Sequence, residues 1–166
     1  CDLRKVFILD AAPTNASLLI TADNGYELHV NGSLVGSDAG AASDVWQSVE
    51  RYDITSRLAK GRNILGIHGL DLGGVRGVIA AVRVEIKGRP PLELVTDETW
   101  RVTRESKAVD YSHPEFVEGA EWHDARLVGP MGMTPWGKVA WSEAGERARA
   151  KSKVNWRTRK KPVNFL

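Results

Sequence analysis

The chain has 166 residues, 42% of them hydrophobic, which suits one domain with an extension and excludes wholesale disorder. No apolar run approaches the roughly 20 residues that a membrane-spanning helix needs, so no transmembrane segment is expected. The net charge of +2 divides unevenly: residues 146–166 carry eight Lys/Arg and one Glu, net +7, whereas residues 1–145 carry fifteen Lys/Arg and twenty Asp/Glu, net −5.

The single cysteine, Cys1, excludes an internal disulfide, so the fold rests on its core. Cys1 has three readings: an accident of where the chain begins, the lipid-anchored first residue of a mature bacterial lipoprotein, or a half-cystine paired outside the chain. No signal peptide is visible, and a mature chain would have lost one.

Lys5 to Leu9 reads as a first strand ending at Asp10, and Pro13-Thr14-Asn15 as a turn. The best-specified stretch is Leu18 to Gly32. Leu18 to Ala22 is an apolar strand, and Asp23-Asn24-Gly25 reads as a tight turn, because Asn and Gly tolerate positive φ. Tyr26, Leu28 and Val30 then alternate with Glu27, His29 and Asn31, giving one buried and one wet face. Asn31-Gly32 is a strong hairpin-turn signal, with Leu34-Val35-Gly36 returning. The expectation is a hairpin over 18–32 that continues as a meander.

Residues 36–44 are small and polar and read as a loop edged by Trp46. A short strand runs into Tyr52, with Ile54 and Leu58 inward and Asp53 or Thr55 capping a brief helical turn. After Gly61-Arg62-Asn63, Ile64 to Leu70 reads as a strand buried on both faces, and Asp71 to Gly77 as a Gly-rich loop holding Arg76. Val78 to Ile86 and Leu92 to Thr96 are strands; residues 103–119 are polar and irregular; Glu121 to Val128 is a last strand; residues 143–153 carry a helical pattern. Many short strands with turns between them predict an all-β antiparallel β-sandwich over 1–141 and a basic helical or extended tail over 142–166.

Several pieces occur in an order that resembles a known family. Asp23 to Gly32, then Tyr52-Asp53-Ile54-Thr55 with Leu58 and Gly61-Arg62-Asn63, then Thr96-Asp97-Glu98-Thr99-Trp100, and finally Trp122 with Pro135-Trp136-Gly137, resemble galactose-binding-domain-like jelly-roll modules. Such modules accompany bacterial α-L-rhamnosidases and other large secreted glycan-processing proteins. The resemblance covers about residues 5–140. It implies a jelly roll that binds a polysaccharide or oligosaccharide, or packs against a neighbouring catalytic domain, at the cell surface or outside the cell. It also raises a structural Ca²⁺, held in jelly rolls by Asp, Asn and carbonyl oxygens, although no loop signature here points to one.

Sugar recognition needs flat apolar faces and planar polar groups. Trp46, Trp122, Trp136 and Tyr52 offer the first; Asn24, Glu27, His29, Asp71 and Arg76 offer the second. The preferred constellation is Trp46, Asp71 and Arg76, in loops expected at one end of the sandwich, with Tyr52 and Asn24 beside them. Against it stands the plainer reading, in which Trp46 and Tyr52 are plugs and Arg76 pairs with Asp71 as a surface ion pair. Trp100, Trp122 and Trp136 read as structural, and His29 as a solvated or hydrogen-bonded histidine.

No catalytic arrangement stands out. The four histidines lack metal-ligand spacing, there is no G-x-S-x-G, and Asp53 and Asp97 have turn roles. The tail from Arg147 to Lys161 reads either as an anionic-polymer binder or as a linker; with one aromatic, Trp156, the linker is preferred and no nucleic-acid partner is expected. The expectation is a non-catalytic carbohydrate-binding module whose ligand the resemblance alone implies to be an acidic or deoxy-sugar polysaccharide, the alternatives being a structural accessory domain and a stand-alone enzyme.

Overall fold

A computed structural model describes residues 1–38, 48–73, 76–104, 110–129, 132–134, 136–137 and 140–141. Its elements are β1 (Asp2–Leu9), β2 (Asn15–Asp23), β3 (Gly25–Val30), β4 (Ser33–Ser37), β5 (Ser48–Asp53), a 3₁₀ turn (Thr55–Arg57), β6 (Gly61–Leu70), β7 (Gly77–Glu85), β8 (Leu92–Val95), β9 (Arg101–Thr103), β10 (His123–Asp124) and β11 (Ala140–Trp141). They form a β-sandwich: one sheet in the order β10-β9-β1-β6-β3-β4, the other β11-β5-β2-β7-β8. The pairings are antiparallel except β11 with β5.

The period of two drives the two sheets together. Leu3, Phe7 and Leu9 of β1, Tyr26, Leu28 and Val30 of β3, and Leu65 and Ile67 of β6 point inward from one sheet. Ala16, Leu18, Ile20 and Ala22 of β2 and Val78, Ala80, Val82 and Val84 of β7 meet them from the other. Each fully buried large aliphatic side chain of this kind contributes about 1.5–3 kcal/mol. Ile54 and Leu58 are buried as expected. Trp100 is a fully buried plug whose Nε1 donates to Val95 O at 3.0 Å.

One expectation fails. Residues 18–32 are not a hairpin: β2 pairs with β5 and β7, whereas β3 pairs with β4 and β6, so Asp23-Asn24-Gly25 carries the chain from one sheet to the other. The Asp23–Asn24 peptide is cis. The apolar faces of β2 and β3 bury more by facing each other across the core than they would side by side. The next turn behaves as read: Val30 pairs with Ser33, and Asn31 (φ 49°) and Gly32 (φ 82°) both take positive φ, the requirement of a two-residue type I′ turn.

Asn31 and Asn63 weld this turn to β6. Asn31 Oδ1 accepts the Ile64 N–H at 2.8 Å, and Asn31 Nδ2 donates to Asn63 Oδ1 at 3.0 Å. The fully buried Asn63 donates in turn to Ala59 O and Gly61 O. Asp53 accepts the Thr55 N–H at 2.9 Å from just before the 3₁₀ turn, and Asp97 accepts the Thr99 N–H at 2.9 Å, so both hold turns as expected.

Part of the stretch expected to be irregular is ordered by the sheet it covers. Residues 110–122 lie as a strap across the outer face of the six-stranded sheet. Arg4, 1% exposed, donates from Nη1 to Glu118 Oε1 at 2.9 Å, and its guanidinium lies 5.1 Å from the Phe116 ring centre. Tyr111 and Trp122 are buried with ring centres 6.2 Å apart. The expected last strand is pinned to two residues, His123–Asp124, because Trp122 turns inward and the Ala125 N–H bonds to Trp100 O. The tail, 142–166, lies outside the described residues.

Candidate functional site

Strand ends from both sheets meet at one end of the sandwich. β2 ends at Asp23 opposite Gly77, where β7 begins, and Gly25, opening β3, pairs with Leu70, closing β6. β1 begins there too, its Asp2 paired with His68 and Thr103. Between these ends lies a cleft of about 360 Å³. Ala22, Leu70 and Val78 give it apolar surface; Asp23, His68, Asp71, Arg76 and Arg104 give it polar groups; Cys1 also lines it.

The Gly-rich loop after β6 holds the charges in place by its own hydrogen bonds. Asp71 Oδ1 accepts the Gly73 N–H at 2.8 Å, and Asp71 Oδ2 meets Arg76 Nε at 2.7 Å. Asn24 Oδ1 accepts the Leu72 N–H at 2.6 Å and ties the loop to the sheet crossing. Asp71 and Arg76 are therefore brought together, and both reach the cleft. Asn24 is a brace for the loop that carries them.

Asp23 is the most unusual group. Its carboxylate is half-buried and has no hydrogen-bond or ion-pair partner among the described residues. Burial, and then the neighbouring Asp71 charge, push its pKa up. A carboxylate so placed is short of hydrogen-bond donors. Beside it, His68 Nδ1 contacts Asp2 Oδ1 at 2.7 Å, with Asp2 only 1% exposed. Arg104 is exposed and has no partner among the described residues.

The other sequence candidates fall elsewhere. Tyr52 sits within β5, its hydroxyl 3.0 Å from the Tyr26 hydroxyl, away from the residues that line the cleft. Tyr26 also donates to Glu50 Oε2 at 3.3 Å, and burial raises its pKa strongly. Glu27 and His29 face outward from β3, with Tyr111 of the strap 6.3 Å from the His29 ring. Trp122 and Trp136 are buried and have no face to offer a sugar. Trp46 lies outside the described residues, although Asp38 and Ser48, which flank its segment, stand at the cleft end. Asp23, His68 and Arg104 are absent from the constellation that the sequence favours. Asp23 has a signal there, its position beside Asn24-Gly25, but turn chemistry alone accounts for that position.

No family model matches the chain. It is similar to a curated α-L-rhamnosidase from Streptomyces avermitilis, 27% identical over 130 residues that make up 76% of this chain and 12% of that protein. An α-L-rhamnosidase from Formosa agariphila is 26% identical over 151 residues, 80% of this chain and 16% of the relative. The chain thus spans less than a fifth of either relative. Among solved structures, the S. avermitilis α-L-rhamnosidase complexed with L-rhamnose superposes with a TM-score of 0.76 at 26% identity, over 84% of this chain and 14% of that one. A lectin from Pleurotus ostreatus in complex with GalNAc superposes with a TM-score of 0.72 at 27% identity, over 84% of this chain and 40% of that one. The sandwich has a galactose-binding-like fold, and the chain is similar both to a segment of α-L-rhamnosidases and to a segment of a lectin.

Proposed function

We propose that this chain is a non-catalytic carbohydrate-binding module of a larger secreted or cell-surface protein, and that the cleft at the Asp23 end takes the sugar. The observation that carries this reading is the half-buried Asp23 carboxylate, without a partner among the described residues, beside the Asp71–Arg76 pair. Neighbouring sugar hydroxyls are donors and acceptors at once. Asp23 accepts from them, and Arg76, paired through Nε with Asp71, has outer N–H groups without a partner among the described residues and donates from these. Leu70 and Val78 offer apolar surface to C–H groups. The similarity to a lectin and to a small segment of glycan-cleaving enzymes supports binding over catalysis.

Calcium fits the same corner. Asp23, Asp71 and the Asn24 carboxamide oxygen are hard oxygen donors, and the Asp23 carboxylate has no counter-charge among the described residues. They would hold the ion, with Asp71 released from Arg76, and the ion would neutralise the paired carboxylates. Because the described residues contain no group of three or more His/Cys/Asp/Glu that could hold a metal, such a site would rest on these two carboxylates and neutral oxygens.

Calorimetry against L-rhamnose, GalNAc and a polysaccharide panel, in added Ca²⁺ and in EDTA, tests the reading. We expect binding to weaken at least about tenfold in Asp71→Ala with the circular dichroism spectrum unchanged. No binding to any glycan, or a silent Asp71→Ala, would sink it. The second reading, an accessory domain packed on a neighbour, is favoured by the small share of its relatives that the chain spans. It predicts no sugar binding and a neighbouring domain that loses stability when this one is removed.

A further inference from the structure

One wall of the cleft carries a histidine with one ring nitrogen held and the other open. His68 of β6 stands opposite Asp2 of β1. Both lie on the outer face of their sheet, since the neighbouring pair, Leu3 and Ile67, points into the core. His68 Nδ1 meets Asp2 Oδ1 at 2.7 Å, and Asp2 is only 1% exposed, so water does not compete for the contact. A carboxylate has only acceptors to offer, so Nδ1 carries the proton and donates it. In the neutral ring Nε2 is then a bare acceptor. No described residue uses it, and it is not among the buried atoms left without a partner, so it stands open. His68 lines the cleft together with Asp23 and Asp71.

The pair is not needed to align the strands. The backbones of β1 and β6 are already in register from Asp2–His68 to Leu9–Gly61. What the sealed carboxylate adds is a fixed ring with a fixed tautomer, because a partner on one imidazole nitrogen decides the state of the other. We infer that His68 is a specificity-determining residue of the cleft: its Nε2 accepts a hydrogen bond from a ligand hydroxyl, and Asp2 is the positioning residue that keeps that nitrogen bare. This rests on the reading of the cleft as a sugar site and adds a second point at which the site demands a hydroxyl. His68 and Leu70 share a face of β6, about 7 Å apart along the strand, and Asp71 follows Leu70. The hydroxyl taken by His68 is therefore a different one from that taken by Asp23. A ligand that lacks a hydroxyl at either point leaves an acceptor unmet.

Two measurements on the full chain test this: ¹⁵N NMR of the histidine rings, and calorimetry against L-rhamnose, GalNAc and a polysaccharide panel. In alkaline buffer, where histidine is neutral, His68 should show a protonated Nδ1 and a bare Nε2, and the Nε2 signal should move when sugar binds. These signals are read on the wild type and need no substitution. His68→Asn places a carboxamide N–H near the position of Nδ1, so Asp2 keeps its donor while the Nε2 acceptor is lost. It should bind about tenfold more weakly with an unchanged circular dichroism spectrum. Asp2→Asn should give a mixture of tautomers, with affinity falling in step with the share of rings that keep Nε2 bare. A proton on Nε2 in the free protein, an Nε2 signal that ignores bound sugar, or undiminished binding in His68→Asn overturns the inference and leaves the sugar site standing. No binding by the wild type to any sugar or polysaccharide overturns both.

Discussion

Asp38 has one satisfied and one stranded oxygen. Its Oδ1 accepts the Tyr26 N–H at 2.5 Å, while its Oδ2 is buried with no partner among the described residues. Burial, with the Glu50 carboxylate adding to it, pushes its pKa up from 3.8 to about 6. Folding thus favours the protonated form, so this group makes the protein more stable as pH falls from neutrality through about 6 toward 4. Asp38 is only partly buried, and after allowance for solvent screening the effect is about 1 kcal/mol. Asp53 acts in the opposite sense: the Thr55 hydroxyl and N–H lower its pKa, and its contribution fades once acid protonates it. Urea unfolding across pH should therefore show a maximum on the acid side of neutrality. Asp38→Asn keeps the oxygen that Tyr26 needs, so it should raise stability at neutral pH and flatten the profile near 6; an unchanged profile would contradict the assignment. At this scale the sequence is legible where partners are close in the chain. Asp71 with Arg76, Asp53 with Thr55 and Asp97 with Thr99 are local pairs. Asp23, His68 and Arg104 line one cleft only because distant strands end at one place, and no local pattern encodes that.

The strap over residues 110–122 depends on a missing side chain beneath it. A Cβ at Gly66 would lie 2.4 Å from Ser112 Cβ and 3.1 Å from the Ser112 Cα, a backbone atom that cannot swing away. Gly66→Ala should cost about 1–3 kcal/mol and raise amide exchange across 110–122, as read by denaturant titration and hydrogen exchange. Gly88, in open space at φ +75°, is the control: Gly88→Ala meets nothing and should cost about 1 kcal/mol or less, from backbone strain alone. Equal costs at the two positions would show that the strap is not seated on Gly66. The alternating strands, the Asn31-Gly32 turn and the Trp100 plug are all readable in the sequence, because each depends on its own few residues. The false hairpin is not avoidable by the same means. An apolar strand, a flexible tripeptide and an alternating strand look alike whether the chain folds back beside itself or crosses to the other sheet. The choice is made by β6 and β7, which lie well downstream in the chain. The strap leaves no signal of its own, because its order comes from the sheet beneath it.

At the scale of the whole molecule, a ligand that binds only the folded sandwich must stabilise all of it. Sugar at about 100 times its dissociation constant should add about 2.7 kcal/mol, or about 5–10 °C in Tm for a chain of this size. A thermal-shift series should rise with the logarithm of ligand concentration, and Asp71→Ala should need correspondingly more sugar; a flat series for the wild type would count against binding. The walls of the cleft carry a further consequence. They are the ends of β1, β2, β3, β6 and β7, and the loop that supplies Asp71 is tethered through Asn24 and the Leu72 N–H. A site built from strand ends is set before its ligand arrives, so little entropy is lost in ordering it. Association should then follow a single step with no slow closing phase, and differences in affinity among glycans should show mainly in how long each stays.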